Sequence, residues 1–311
     1  MRAVVVRSFA GPEALELVEV PVPVAGPGQV RVRVEAAGVN PVDAVTRSGA
    51  LAGAGLMAPC EVVGIGWDVA GVVDQVGPGV TGFVPGERVI GLRDRLDVPL
   101  GAYAEYLVLD ASALAPAPAG VPAAEAATLP LNGLTALQAL DLLGLPAGAT
   151  LLVTGGAGGV GGFAIELAVL RGLRVVALAG PQDEALVREL GADWFVPRDT
   201  PDPAAAVRGL APGGVDGALD AALLGIPALG AVRNRGAFVT VSGGAPPGLR
   251  GIRVANVWVA ADGPALTALS GLAAGRRLTL RVAGTHPLEQ ADEAHRRLAR
   301  GGLRGRLVLV P

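Results

Sequence analysis

The sequence predicts an α/β protein in two architectural parts, a partly open barrel of short strands and a doubly wound parallel sheet. Three observations predict it. The first hundred or so residues carry short apolar runs cut by Gly/Pro punctuation such as PVAGPGQ and GPGVTGFVPGE. From about residue 123 the pattern turns into alternating helix and strand, which implies a parallel sheet covered on both faces. Between the apolar run Thr150 to Thr154 and the periodic run Phe163 to Leu170 stands GGAGGVGG, residues 155–162.

Strands of the first part are expected at Arg2 to Arg7, Glu16 to Val20, Gln29 to Ala37, Val69 to Val76 and Glu87 to Leu92. The stretch LAPAPAGVP, Leu114 to Pro122, is rich in Pro and Ala, lacks periodicity and is expected to be a boundary. Helices follow at Ala123 to Leu129 and Gly133 to Leu143, then strand Thr150 to Thr154, helix Val160 to Arg171, strand Arg174 to Ala179, helix Gln182 to Leu190 and strand Trp194 to Val196. Helix Pro203 to Gly209, strand Val215 to Asp220, helix Leu223 to Val232 and strands Gly236 to Ser242 and Ile252 to Val259 complete the alternation. A charged helix, Leu288 to Arg300, comes after it. The expected organisation is therefore residues 1–121, 122–261, and 262–311 returning to the first part.

Within the glycine stretch, Gly156-x-Gly158-x-x-Gly161 follows a strand and opens a helix, the setting of the dinucleotide fingerprint. The first glycine is expected to make the tight turn, the second to admit a pyrophosphate close to the backbone, and the third to bring helix against strand. Amides at Gly158, Gly159, Val160 and Gly161 would then face the phosphates. A membrane span over Leu151 to Leu170 is the competing reading, and the crowded glycines and Glu166 weigh against it.

Composition excludes several chemistries. All 25 basic residues are arginine, so neither a Schiff-base lysine nor a P-loop lysine can exist. One cysteine, Cys60, and two histidines, His286 and His295, rule out an internal disulfide and leave too few ligands for the usual Cys/His zinc sites. Net charge is −3, giving no electrostatic reason for a nucleic-acid partner. The N-terminal apolar run is too short for a secretory signal, and a soluble cytoplasmic protein without membrane attachment is the expectation. His295, in the charged helix, is expected on a solvated face.

Five blocks carry a resemblance: AAGVNPVDAVTRSG (Ala36 to Gly49), GWDVAGVVDQVGPGVTGFVPGERV (Gly66 to Val89), GAYAEYLVL (Gly101 to Leu109), AATLPLNGLTALQAL (Ala126 to Leu140) and VTGGAGGVGG (Val153 to Gly162). In this order the chain resembles the medium-chain dehydrogenase/reductases, and more narrowly their zinc-free quinone oxidoreductase, or zeta-crystallin-like, branch. The resemblance implies a GroES-like catalytic domain split by an inserted Rossmann domain, with the active site in the cleft between them. Zinc-dependent relatives place cysteine where this chain has Asn40 and histidine where it has Trp67, so no zinc is expected. Reduction of a quinone or conjugated carbonyl then becomes the easier reaction.

Position 179, where NAD-specific domains end the second strand with an acid, is Ala179 here. NADPH is therefore the expected cofactor, with NADH not excluded. Ala179 and Gly180 would offer backbone, and Arg198 and Arg300 are the arginines placed by similarity for phosphate contact, with a solvated surface role as the alternative for each. Ser242 and Gly243 are expected on the nicotinamide side. By resemblance Asn40, Asp43 and Thr128 approach nicotinamide or substrate, while Trp67 either narrows the pocket or fills core. Asp43 has a second reading, as a buried acceptor for turn N–H groups. Relatives often have tyrosine after the RSG motif; this chain has Ala50 and Leu51, and its tyrosines Tyr103 and Tyr106 are expected to pack in one strand.

The resulting expectation is a zinc-independent, NADPH-dependent reductase of quinones or α,β-unsaturated carbonyls, with no general acid assigned. A noncatalytic NADPH-binding protein is one alternative, and an enoyl-thioester reductase or tailoring enzyme is another. A homodimer joined near Ile252 to Val259 is expected by similarity, because that edge strand is apolar.

Overall fold

The computed structural model describes residues 1–58, 60–96, 98–241 and 243–311. In chain order the first elements are β1 (Arg2–Val6), β2 (Glu16–Glu19), β3 (Gln29–Val39), α1 (Pro41–Arg47), α2 (Ala50–Gly53), β4 (Val63–Gly64), β5 (Asp68–Val76), β6 (Arg88–Leu92), β7 (Tyr106–Asp110), β8 (Leu114–Pro116) and α3 (Ala123–Ala126). Helix α4 (Pro130–Leu143) leads into β9 (Thr150–Thr154), α5 (Gly159–Leu170), β10 (Arg174–Ala179), α6 (Glu184–Glu189), β11 (Trp194–Pro197) and α7 (Pro203–Leu210). Then come β12 (Val215–Asp220), α8 (Ile226–Ala231), β13 (Val232–Thr240), β14 (Arg253–Asn256), α9 (Gly263–Ala274), β15 (Val282–Pro287), α10 (Ala291–Ala299) and β16 (Arg306–Val310).

The chain forms two compact units. The first comprises Met1–Leu131, Ala260–Arg276 and Leu280–Pro311, and the second Asn132–Val259 with Arg277–Thr279. The division falls at 131/132 rather than near 121. The Pro/Ala-rich stretch does not behave as a linker, because β8 pairs antiparallel with β6 through Val89, Ile90 and Gly91. Pro116 ends β8 at the sheet edge, where a strand tolerates the missing N–H.

In the first unit a seven-stranded sheet has the order β15-β16-β3-β5-β6-β8, with β7 also pairing β3, and a small sheet has the order β2-β1-β4. The long strand β3 alternates inward Val30, Val32 and Val34 with outward polar residues. Those valines join Val69, Val73, Leu107, Leu109, Leu307 and Leu309 in one core. Burying these side chains contributes about 1.5–3 kcal/mol each.

The second unit is a six-stranded parallel sheet of order β11-β10-β9-β12-β13-β14. This is the doubly wound order that reverses beside its first strand, where a crevice opens at the strands' carboxyl ends. All five residues of β9 are buried, as a strand covered on both faces requires. No helix among the described residues is long and apolar enough to cross a membrane. The apolar stretch Leu151 to Leu170 is instead divided between β9, the glycine turn and α5. Glu166, the acid within it, is buried and accepts hydrogen bonds from the Thr279 backbone N–H (3.0 Å) and hydroxyl (2.6 Å).

Candidate functional site

The glycine stretch folds as a turn between β9 and α5, but the tight turn falls one residue before the expected one. Gly155, with φ +64°, makes the left-handed turn, and Gly156 does not. Gly161 is where close approach is strict: a Cβ there would lie 2.2 Å from the Gly155 carbonyl oxygen and 2.7 Å from its carbon. Backbone cannot move aside as a flexible side chain can, so only glycine fits. Intrahelical bonding starts with the Gly162 N–H donating to Gly158 O (3.0 Å), which leaves the amides of Gly159, Val160 and Gly161 without partners inside the helix. Gly158, Gly159 and Val160 are partly exposed, so this helix start can present N–H groups to a pyrophosphate.

One strand over, Ala179 ends β10 and is buried, and its carbonyl accepts the Arg198 N–H at 2.7 Å. Register pairs Ala179 with Pro197, so Arg198 stands directly beside the end of β10 with an exposed side chain. Asp183, buried on the following turn, brings a carboxylate oxygen to within 2.8 Å of where a Cβ on Gly180 would sit. Arg300 belongs to the first unit, and its side chain is 65% exposed and 3.6 Å from Glu293.

Sequence reasoning missed Asp220. At the end of β12 it is buried, and its carboxylate accepts the Thr154 hydroxyl (2.6 Å) and the backbone N–H groups of Leu224 (3.1 Å) and Gly225 (2.7 Å). This pins residues 221–225, where Leu223 and Gly225 both have positive φ, and shortens the expected helix to Ile226–Ala231. Asp220, Leu223, Gly225, Thr240, Gly243 and Gly244 line a cavity of about 430 Å³. Gly243 therefore lies on its wall, whereas Ser242 is outside the described residues. The signal for Asp220 was an acid directly after the apolar pair Ala218 and Leu219 at the end of a strand.

In the first unit, Asn40, Asp43 and Asp68 are brought together with no exposure at all. Asn40 caps α1, and its backbone N–H donates to Asp43 Oδ2 at 2.7 Å, while its amide Nδ2 donates to Asp68 Oδ2 at 2.6 Å. Asp68 also accepts the Leu131 N–H at 2.6 Å. The Tyr103 hydroxyl donates to Asp43 Oδ2 at 3.1 Å and lies 3.2 Å from His295 Nε2. Burial pushes the Asp43 carboxyl up to about 7, with Asp68 adding to the rise and the Asn40 N–H, Tyr103 and Arg93 opposing it. It likewise pushes Asp68 up to about 6, against the Asn40 and Leu131 hydrogen bonds and the Arg306 charge. Arg306 itself is lowered to about 10 by burial.

Several expectations need correcting here. His295 is not on a solvated face: it is 1% exposed, on the inner side of α10, with Ala291 and Ala294 also buried. Tyr103 does not share a strand with Tyr106, since β7 begins at Tyr106 and Tyr103 precedes it in a turn. Edge strand β14 is limited to Arg253–Asn256. Thr128 is buried and gives its hydroxyl to Glu125 O at 2.8 Å, and Trp67 is only 8% exposed. Among the described residues no three His, Cys, Asp or Glu side chains converge as metal ligands.

Residues 26–119 match the family profile for the alcohol dehydrogenase GroES-like domain, and residues 190–309 match that for zinc-binding dehydrogenases. A chloroplast envelope quinone oxidoreductase homolog of Arabidopsis thaliana is 38% identical over 213 residues, 66% of this chain and 63% of that protein. The match thus spans less than two thirds of that relative's length. Among solved structures, an NAD-dependent alcohol dehydrogenase is 34% identical with TM-score 0.89, covering 100% of both chains. A mycobacterial protein solved with NADPH is 30% identical with TM-score 0.86, again over 100% of both chains. Fold, sheet order, glycine turn and these similarities agree: the chain belongs to the medium-chain dehydrogenase/reductase superfamily, in its quinone oxidoreductase branch.

Proposed function

We propose that this chain is a zinc-independent reductase that uses NADPH to reduce quinones or α,β-unsaturated carbonyls. The observation that carries the cofactor assignment is the end of β10, where Ala179 replaces an acid and Arg198 stands beside it with an exposed side chain. Asp183 opposes a 2′-phosphate from the next turn, so the preference rests on Arg198. The Gly158 N–H is taken by Gly155 O at 2.9 Å, so the amides of Gly159, Val160 and Gly161 would hold the pyrophosphate, Gly180 backbone the adenosine ribose, and Gly243 the nicotinamide side. Reduced nicotinamide, when bound, supplies a hydride. Asn40 and Thr128, held rigidly by their own hydrogen bonds, position rather than protonate, while Trp67 shapes the apolar wall. Asn40 and Trp67 occupy the positions at which zinc-dependent relatives carry ligands, and neither side chain is a good zinc ligand. This favours acceptors that need no Lewis acid.

Purified protein assayed for NADPH and NADH oxidation against a panel of quinones and enones tests the reading. Arg198→Ala is expected to lower kcat/KM for NADPH about tenfold, roughly 1.4 kcal/mol, and to leave NADH nearly unchanged. Absence of turnover with every acceptor, or an equal loss with both cofactors, overturns it.

We further propose a homodimer through the β14 edge. The strand pairs only β13 among the described residues, and Trp258 just beyond it is 61% exposed. Sedimentation equilibrium is expected to give twice the chain mass, and Trp258→Asp to halve it; a monomeric wild type removes the idea.

A further inference from the structure

One buried assembly in the first unit is absorbed by neither the fold nor the cofactor site. Tyr103, on the turn before β7, stands between Asp43 on α1 and His295 on α10, 3.1 Å from the one and 3.2 Å from the other. Sixty residues separate the first pair and 192 the second. All three side chains are at most 1% exposed. In and beside this assembly four buried atoms have no hydrogen-bond partner among the described residues: Asp43 Oδ1, His295 Nδ1, and Nε and Nη1 of Arg47, which follows Asp43 by one turn of α1.

We propose that Tyr103 and His295 are positioning residues that relay a proton to and from Asp43, and so set the charge beneath the Asn40 turn. This rests on the reductase reading, in which Asn40 orients reactants, and extends it to a residue pair with no role in that reading. The relay is written from hydrogen-bond polarity. With Asp43 ionised, the Tyr103 O–H donates to Oδ2 and the imidazole donates Nε2–H to the tyrosine oxygen, leaving Nδ1 bare. A proton delivered to Nδ1 by a solvent hydronium, which leaves as water, releases the Nε2 proton to Tyr103, and the former Tyr103 proton passes to Oδ2. Three N–H or O–H bonds form and three break, for a net gain of one proton by Asp43. The imidazole finishes as the Nδ1–H tautomer and remains neutral.

The charged surroundings suit transfer rather than storage. Burial and the Arg47 charge push His295 down to about 3 against the pull of Asp292, so an imidazolium does not persist near neutral pH. Asp43 faces Asp68 from β5 and Arg93 from the loop after β6, while Arg47, lowered by burial, is partly balanced by Glu13. Arg306, from β16, feels both aspartates. Tyr103 is raised by burial and by Asp43, so its phenol is a carrier and does not rest as phenolate.

The full chain carries only two imidazoles, His286 and His295, which makes the test direct. Nitrogen-15 spectra of histidine-labelled protein, without cofactor or substrate, are followed from about pH 9 to about pH 5 alongside the carbon-13 shift of the Asp43 carboxyl. His295 is expected to change from the Nε2–H to the Nδ1–H neutral tautomer with the same midpoint as Asp43, near pH 7. In Tyr103→Phe the tautomer is expected to become independent of pH, with unchanged circular dichroism. A tautomer that stays fixed while Asp43 titrates, an Asp43 that does not titrate in this range, or an ordinary imidazolium transition each overturns the relay. The wild-type series decides even if a variant fails to fold. Because no turnover is measured, failure of the relay and failure of the reductase reading are separate results.

Discussion

Asp220 in the second unit and Asp43 in the first are both buried aspartates next to a turn, and they are satisfied very differently. Asp220 takes three donors spread over both oxygens, from a hydroxyl and two loop amides. Asp43 takes two donors on one oxygen and leaves the other bare. A completely bonded carboxylate locks the loop it serves, whereas an incompletely bonded one keeps a second protonation state within reach. The same contrast extends to the units around them. In the second, backbone sterics at Gly161 and the Asp220 loop fix the turn; in the first, side chains from α1, β5, the segment before β7 and α10 meet around a carboxylate whose pKa burial has raised.

The strongest way to break this comparison is Gly161→Ala. The new methyl meets backbone at 2.2 Å, so the turn must open. Dinucleotide affinity, read by fluorescence titration, is expected to fall on the order of 100-fold, with about 1–3 kcal/mol lost from urea unfolding. Retained binding would mean that the backbone does not dictate this site.

A smaller effect sharpens the other side. Asp43 has its folded pKa raised from 3.8 to about 7, so the folded state holds a proton that the unfolded chain has already released between those values. Its stabilising share is present below about pH 4, shrinks as pH rises, and is gone above about pH 7. Asp43→Asn, which cannot ionise, is expected to gain on the wild type by on the order of 2 kcal/mol between pH 5 and pH 8 in urea midpoints. His295, with its folded value lowered, loses stability in the opposite direction as pH falls below about 6.5, and taking the difference between variant and wild type cancels that contribution. A constant difference across pH would show that Asp43 is as fixed as Asp220.

What was legible in the sequence follows the same line. The strand limits Thr150–Thr154, Arg174–Ala179 and Val215–Asp220 were read without error, because each is a buried run between glycines or charges. The glycine pattern was legible because its strictest contact, Gly161 against Gly155 and Gly156, lies within a few residues, although the turn belongs to Gly155. The array around Asp43 was not. His295 sits in a sequence of charges, RRLAR following and DE preceding, and only the packing of α10 turns that one ring inward. Helix α9 went unread for a related reason: glycine and threonine interrupt its apolar pattern, and its start is fixed by Asp262 accepting the Ala265 N–H.

The contact between Glu166 and Thr279 bears on how this nucleotide-binding module can be moved. Three residues, Arg277–Thr279, belong to it although they lie beyond its continuous span. A fragment cut as residues 132–259 alone would lose the three hydrogen bonds that the Glu166 carboxylate on α5 accepts from Thr279. Any graft of the module into another scaffold therefore needs either that distant strip or Glu166→Gln as its substitute.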